Sequence, residues 1–189
     1  DWQDLIYHNG SQLNNQLSIA GGTEKSQILF SLSNFNEKGL VDGVDYKRYT
    51  ARINADQILG SRFKVGLSML YSNVLNNFGS NSVIPEAVNQ SPLGLPYDAN
   101  GNIIFLPISD GIRSNPLSEL VPGKRIDETR FDRLFASVFG EVEIIPGLKY
   151  RLLLGQDLQY APRGTFEGSF TNTRKNGTPA ASLRNGRQW

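Results

Sequence analysis

The sequence predicts an all-β fold, an antiparallel transmembrane β-barrel segment of about six strands with long loops at one end. Three observations predict it. Apolar and polar residues alternate with period two in several stretches, the spacing of a two-faced strand rather than the 3.6 of a helix. Tight glycine-bearing turns alternate with much longer connections, the short and long ends of an outer-membrane barrel. No apolar run reaches the ~18 to 20 residues of a spanning helix. The mean hydropathy of −0.34 suits strands that show lipid only every second side chain.

In chain order, the first element is 12–20, where the apolar face is Leu13, Leu17 and Ile19, against Gln12, Asn14, Gln16 and Ser18. Over 26–35 it is Ile28, Phe30 and Leu32, against Gln27, Ser31 and Ser33. Over 47–57 Tyr49, Ala51, Ile53 and Ala55 oppose Arg48, Thr50, Arg52, Asn54 and Asp56. The cleanest alternation lies in 63–72, where Phe63, Val65, Leu67, Met69 and Tyr71 share a face. In 131–145, Leu134, Ala136, Val138, Val142 and Ile144 face away from Arg133, Ser137, Glu141 and Glu143, with Phe135 and Phe139 breaking the pattern. In 148–160, Leu148, Tyr150, Leu152, Leu154, Leu158 and Tyr160 oppose Lys149, Arg151, Leu153, Gly155, Asp157 and Gln159.

Gly21-Gly22-Thr23-Glu24-Lys25, Leu59-Gly60-Ser61-Arg62 and Pro146-Gly147 carry turn chemistry, with Gly supplying positive φ and Pro presetting φ. Between these turns lie longer connections, near 36–45, the long outside loop 74–128, and from Pro162 to the end. Within the long loop, Tyr97-Asp98-Ala99-Asn100-Gly101-Asn102-Ile103 reads as a hairpin on a type I′ Asn-Gly turn. Ser182 to Gln188, ahead of the aromatic Trp189, does not alternate and reads as loop.

Composition excludes several classes. The 19 basic and 18 acidic residues of the 189 are scattered and give a net charge of +1, without the basic stripe a nucleic-acid partner requires. With no cysteine there is neither a disulfide framework nor a thiolate metal site. The chain begins at Asp1 with no export signal, and the expectation is an internal stretch of a longer protein.

Several segments resemble one family in order. Asp1-Trp2-Gln3-Asp4-Leu5-Ile6-Tyr7 resembles a segment of the SusC/RagA family of TonB-dependent outer-membrane transporters. Asn15-Gln16-Leu17-Ser18-Ile19-Ala20-Gly21-Gly22-Thr23-Glu24-Lys25-Ser26 is similar to the family's next strand and turn. Similar too are Glu37-Lys38-Gly39-Leu40-Val41, Tyr46 to Asp56, Phe63-Lys64-Val65-Gly66 and Ile145-Pro146-Gly147-Leu148-Lys149-Tyr150-Arg151. The resemblance implies a bacterial outer-membrane barrel of roughly 22 strands around a plug, with the plug domain absent from this chain. It implies import of glycans or peptides beneath a SusD-like surface lipoprotein, driven by TonB through the plug. Its remaining partner is outer-membrane lipid, and it requires no cofactor.

The candidate site residues are those on the polar strand faces: Arg48, Arg52, Asn54, Asp56, Lys149, Arg151 and Asp157. In a barrel they point inward, because a charge facing lipid at the midplane costs ~2 to 4 kcal/mol. Two readings stand: they hold the plug by hydrogen bonds and ion pairs, or they line the substrate path. Tyr71 and Tyr160 suit an interfacial aromatic girdle. Phe78, Tyr97, Phe105 and Trp189 either stack on sugar rings or pack the loops.

Other constellations read as ordinary structure. His8 is the sole histidine and reads as a solvated loop residue rather than a zinc ligand. Asp98, Asn100 and Asn102 resemble the start of a calcium loop, but Ser109 stands where the bidentate Glu belongs, and the turn reading is preferred. Asp42 and Asp45 read as a solvated turn. Glu141 and Glu143 lie on one strand face, so they do not oppose each other across a glycosidic bond, and no catalytic residue is assigned. A secreted glycoside hydrolase is therefore disfavoured. The alternative function is a soluble extracellular β-sandwich that binds carbohydrate.

Overall fold

The computed structural model describes residues 1–108 and 111–188. Period-two alternation emerges as six long strands: β1 (Ser11–Gly22), β2 (Ser26–Lys38), β3 (Val44–Leu59), β4 (Phe63–Phe78), β5 (Arg125–Ile145) and β6 (Leu148–Tyr160). Each pairs antiparallel with the next in sequence. The six expected stretches lie within these strands, which run further at the long-loop end. There Asn76, Asn77 and Arg125 to Thr129 continue the ladders although their side chains no longer alternate by polarity.

The tail differs from expectation. Past Pro162 come β7 (Arg163–Glu167), β8 (Ala180–Arg184) and β9 (Arg187–Gln188). The segment expected as loop is thus partly strand, because the overhanging end of β5 offers β7 free backbone groups and β7 pairs in turn with β8. Backbone pairing requires no apolar alternation, so the side-chain pattern carries no sign of it. Trp189 and Ser109 lie outside the described residues.

Register converts the strands into rows. Residues opposite one another on neighbouring strands share a face. One row reads Leu17, Leu32, Ala51, Tyr71, Leu134, Leu158 across six strands. Another reads Gly21, Ile28, Ala55, Leu67, Val138, Leu154. This apolar face is bare: Leu17 is 61% exposed and Leu154 60%. A β-sandwich covers such a face with a second sheet ~10 Å away, but the described strands form one sheet. The sandwich reading is thereby overturned.

The height of the band fits a membrane. On β6 it runs from Tyr150 to Tyr160, about 34 Å along the strand at ~3.4 Å per residue. Tilted by ~40° to 45°, that spans about 25 Å of membrane normal. At the long-loop end the band stops at the row Asn15, Asn34, Tyr49, Asn73, Asp132, Tyr160. There the Tyr71 hydroxyl donates to Asp132 Oδ1 at 2.9 Å, with ring in the band and oxygen at its margin, as an interfacial aromatic does.

The principal buried apolar cluster lies away from the band, among the loops. α1 (Val83–Asn89) and α2 (Leu117–Leu120) fold over the long-loop end. Val83, Ala87 and Leu117 pack there with Trp2, Ile6 and Val41. The Trp2 indole N–H donates to the Ser91 carbonyl at 2.8 Å. Buried Asn115 donates to the carbonyls of Pro96 and Ile104 and accepts the Leu117 N–H.

The hairpin at Tyr97 forms, with Tyr97 bridging Ile103, but its turn is not type I′. Gly101 alone within it has positive φ, at 82°, and donates its N–H to the Asp98 carbonyl at 3.0 Å. This is a type I turn closed by a left-handed glycine. The Asp98 carboxylate decides it by accepting the N–H groups of Asn100 and Asn102. Those bonds, with the Asn102 side chain foremost, hold its carboxyl below the ordinary value.

Candidate functional site

The face opposite the apolar band carries all seven predicted residues. Arg48, Arg52, Asn54 and Asp56 stand at alternate positions of β3, with Lys149, Arg151 and Asp157 two strands beyond β4 on β6. A shared face does not bring all seven together. They fall into three zones along the wall.

At the short-turn end the charges neutralise one another. Lys64 Nζ reaches Asp56 at 2.9 Å, and Glu141 takes Lys149 at 3.5 Å and Arg151 at 3.9 Å. The Arg151 guanidinium also lies 3.8 Å from the centre of the Phe139 ring, a cation–π stack. Phe139 can lie flat here because its cross-strand partner is Gly66. A Cβ on Gly66 would sit 2.1 Å from Phe139 Cε1 and 2.6 Å from Asp56 Oδ1. Phe135 and Phe139, which interrupt the alternation of 131–145, are therefore residents of the polar face.

In the middle zone Arg133 clamps Asp157 with two parallel bonds, Nε to Oδ1 at 2.9 Å and Nη2 to Oδ2 at 2.5 Å. Asn54 accepts from Ser68 Oγ at 2.8 Å. Arg52, in the same row as Asp157, faces Ser31 and Leu70, and towards the long-loop end Arg48 stacks on Phe35 at 5.4 Å. Neither arginine meets a carboxylate among the described residues.

Beyond the band, β7 fixes the mouth. Arg163 grips Asp127 through two bonds of 2.8 Å. Glu167 accepts from Arg125, Thr173 and Arg174. Burial pushes the Glu167 carboxyl up, but the Thr173 hydrogen bond and the charges of Arg125 and Arg174 outweigh it and hold it below its ordinary value.

Alternation alone does not single out Lys64, Arg133, Gly66 or Phe139 as participants. Lys64 and Arg133 stand on the polar faces, but their partners depend on register, which turn geometry and a bulge between Glu143 and Ile145 set. The loop aromatics turn largely to packing. Phe105 meets Phe170 edge-on at 5.8 Å, Phe78 lies under Arg163 at 5.4 Å, and Tyr97 belongs to its hairpin. His8 Nε2 lies 3.1 Å from Asp42 Oδ1, while Asp45 takes the Asn77 amide at 2.8 Å. Among the described residues no group of three or more His, Asp or Glu is placed to hold a metal.

One sheet with a lipid-height apolar band on one face and a charged lattice on the other defines the class: a stretch of outer-membrane β-barrel wall. No family model matches the chain. TonB-dependent receptor P3 of Formosa agariphila is 30% identical over 178 residues, covering 88% of this chain and 17% of that protein. TonB-dependent receptor P26 of the same organism is 25% identical over 182 residues, covering 93% of this chain and 16% of that protein. The chain thus spans about a sixth of the length of these relatives. In fold it matches the RagAB peptide importer in its closed-closed state with a TM-score of 0.75 at 17% identity, over 99% of this chain and 22% of that one. The open-open state gives the same TM-score. The wall is similar in sequence to TonB-dependent receptors and in fold to the RagAB importer, and the resemblance read from the motifs is borne out.

Proposed function

We propose that this chain serves as part of the barrel wall of a TonB-dependent importer of glycans or peptides. In this reading the inner face borders the plug and the substrate path, while the long-loop end meets a SusD-like surface lipoprotein. TonB acts through the plug, and no bond in the substrate is made or broken. The observation that carries the reading is the two-faced register, in which every predicted polar-face charge shares one side of a wall whose other side has the height of a bilayer. Similarity to proteins named as receptors and importers supports it.

The test uses the full-length receptor in its native cells. Deleting it should abolish uptake of fluorescent oligosaccharides or of fluorescent peptides. Uptake should return with the intact gene and fail when TonB is absent. Whichever cargo is lost settles the substrate class. Undiminished uptake of both in the deletion strain would overturn the reading, as would extraction of the full-length protein from membranes by buffer without detergent.

A further inference from the structure

The inner wall divides by charge accounting. Three of its acids are matched within the wall, Asp56 with Lys64, Glu141 with Lys149 and Arg151, Asp157 with Arg133. Arg48 and Arg52 break this rule. Both are exposed, and neither pairs with a carboxylate among the described residues. The acid nearest Arg48 by register on that face, Glu37, stands opposite Tyr46 and forms no ion pair with that arginine, and Asp56, four residues from Arg52, is taken by Lys64. The two arginines are four residues apart on β3, about 13 Å along the strand.

Arg48 stands between Phe35 and Val74 and Arg52 between Ser31 and Leu70, but the wall between the two arginines is small and hydroxylated. Ser33, Thr50 and Ser72 form the row between them, and Ser31 stands opposite Arg52. Short side chains let a ligand approach the wall, and hydroxyls donate to or accept from its oxygens. Height matters as well. Tyr49, next to Arg48 on the other face, lies in the row where the lipid-facing band ends, so Arg48 stands at the level of the outer mouth. The pairs Asp56–Lys64 and Glu141 with Lys149 and Arg151 lie deeper, while the Arg133–Asp157 pair stands in the rows of Thr50 and Arg52, two and three strands across.

We infer that Arg48 and Arg52, with the hydroxyl row between them, form an anion-selecting station at the outer mouth of the import path, and that the cargo carries carboxylate groups. This rests on the import reading and deepens it to a substrate class. Guanidinium binds carboxylate through two parallel hydrogen bonds, and a pair spaced along one strand suits successive acidic units of an extended chain.

The experiment titrates full-length receptor in detergent with trigalacturonate and with the same trisaccharide after its carboxyls are reduced to alcohols. Trigalacturonate should bind at least about tenfold more tightly, the scale expected of one or two charge-assisted hydrogen bonds. The double variant Arg48→Gln/Arg52→Gln should lose that preference and bind the two sugars about equally. Arg48→Lys/Arg52→Lys should keep part of it. Equal binding of the two sugars, no binding of the acidic one, or a double variant that still prefers it would each overturn the inference. So would a double variant that exposes the plug to protease while the preference stays intact, since the arginines would then hold a plug carboxylate. Binding in detergent needs no TonB. A receptor that discriminates in detergent but is dispensable for uptake would uphold the station and overturn import.

Discussion

The contact between Gly66 and Phe139 shows how one residue sets the chemistry of a wall. A hydrogen at Gly66 makes room for the ring, and the ring gives Arg151 a surface to stack on. Gly66→Ala should therefore destabilise the barrel by about 1 to 3 kcal/mol, the usual cost of forcing extra carbon into a filled site. Pairing it with Phe139→Ala should recover most of that loss, read as the temperature at which the detergent-solubilised barrel unfolds. Glu167 gives a prediction in pH. Its folded value lies below the ordinary 4.5, so its contribution is present above the unfolded value and disappears as pH falls through the lowered one. Acidification across that window should speed amide exchange in 163–177, and Glu167→Gln should flatten the response. Neither contact could be read along the chain, since each joins residues that meet only once register is fixed.

At the scale of the element, the facing of the strands was legible because lipid and water impose period two on every spanning segment. The seven polar-face candidates share a side for that reason alone. Strand ends were not legible, because Asn76, Arg125 and Thr129 pair through their backbones above the membrane, where no solvent difference sorts their side chains. The Asn100-Gly101 pair does not reveal its turn type, because the Asp98 side chain, two residues upstream, competes for the same N–H groups. Leu153 and Leu154 offer a sharp check on facing, as adjacent leucines exposed to 61% and 60% on opposite faces. Leu154→Arg should cost about 2 to 4 kcal/mol or block assembly, since it places a charge near the lipid midplane. Leu153→Arg should assemble normally. Heat-modifiable migration of the two full-length variants on a gel distinguishes them, and equal defects would mean that the facing is wrong.

For the whole molecule, the main buried cluster lies in the cap and the widest apolar surface lies on the outside. Stability accordingly has two sources that should separate. Trp2→Ala removes a buried indole and its bond to Ser91, a loss of about 3 to 5 kcal/mol at a fully packed site. That loss should fall on the cap. Limited proteolysis should cut within 83–120 while the strands remain protected, and simultaneous melting of both would show that cap and wall are one cooperative unit.

Every long strand pairs with its sequence neighbour, so five ladders can form hairpin by hairpin, and four of the five joints are short. The exception is the joint between β4 and β5, where residues 79–124 must be spanned before Asn77 can meet Glu128. Closing that loop rather than a four-residue one costs roughly 2 kcal/mol of chain entropy. The cluster around Trp2 and Val83 gathers the interior of that loop, so its formation ahead of the ladder would shorten the effective loop. A cap that condenses first would set the order of assembly as well as cover the mouth: a chain whose cap fails to condense should then stall as two separate hairpin groups, β1 to β4 on one side and β5 onward on the other.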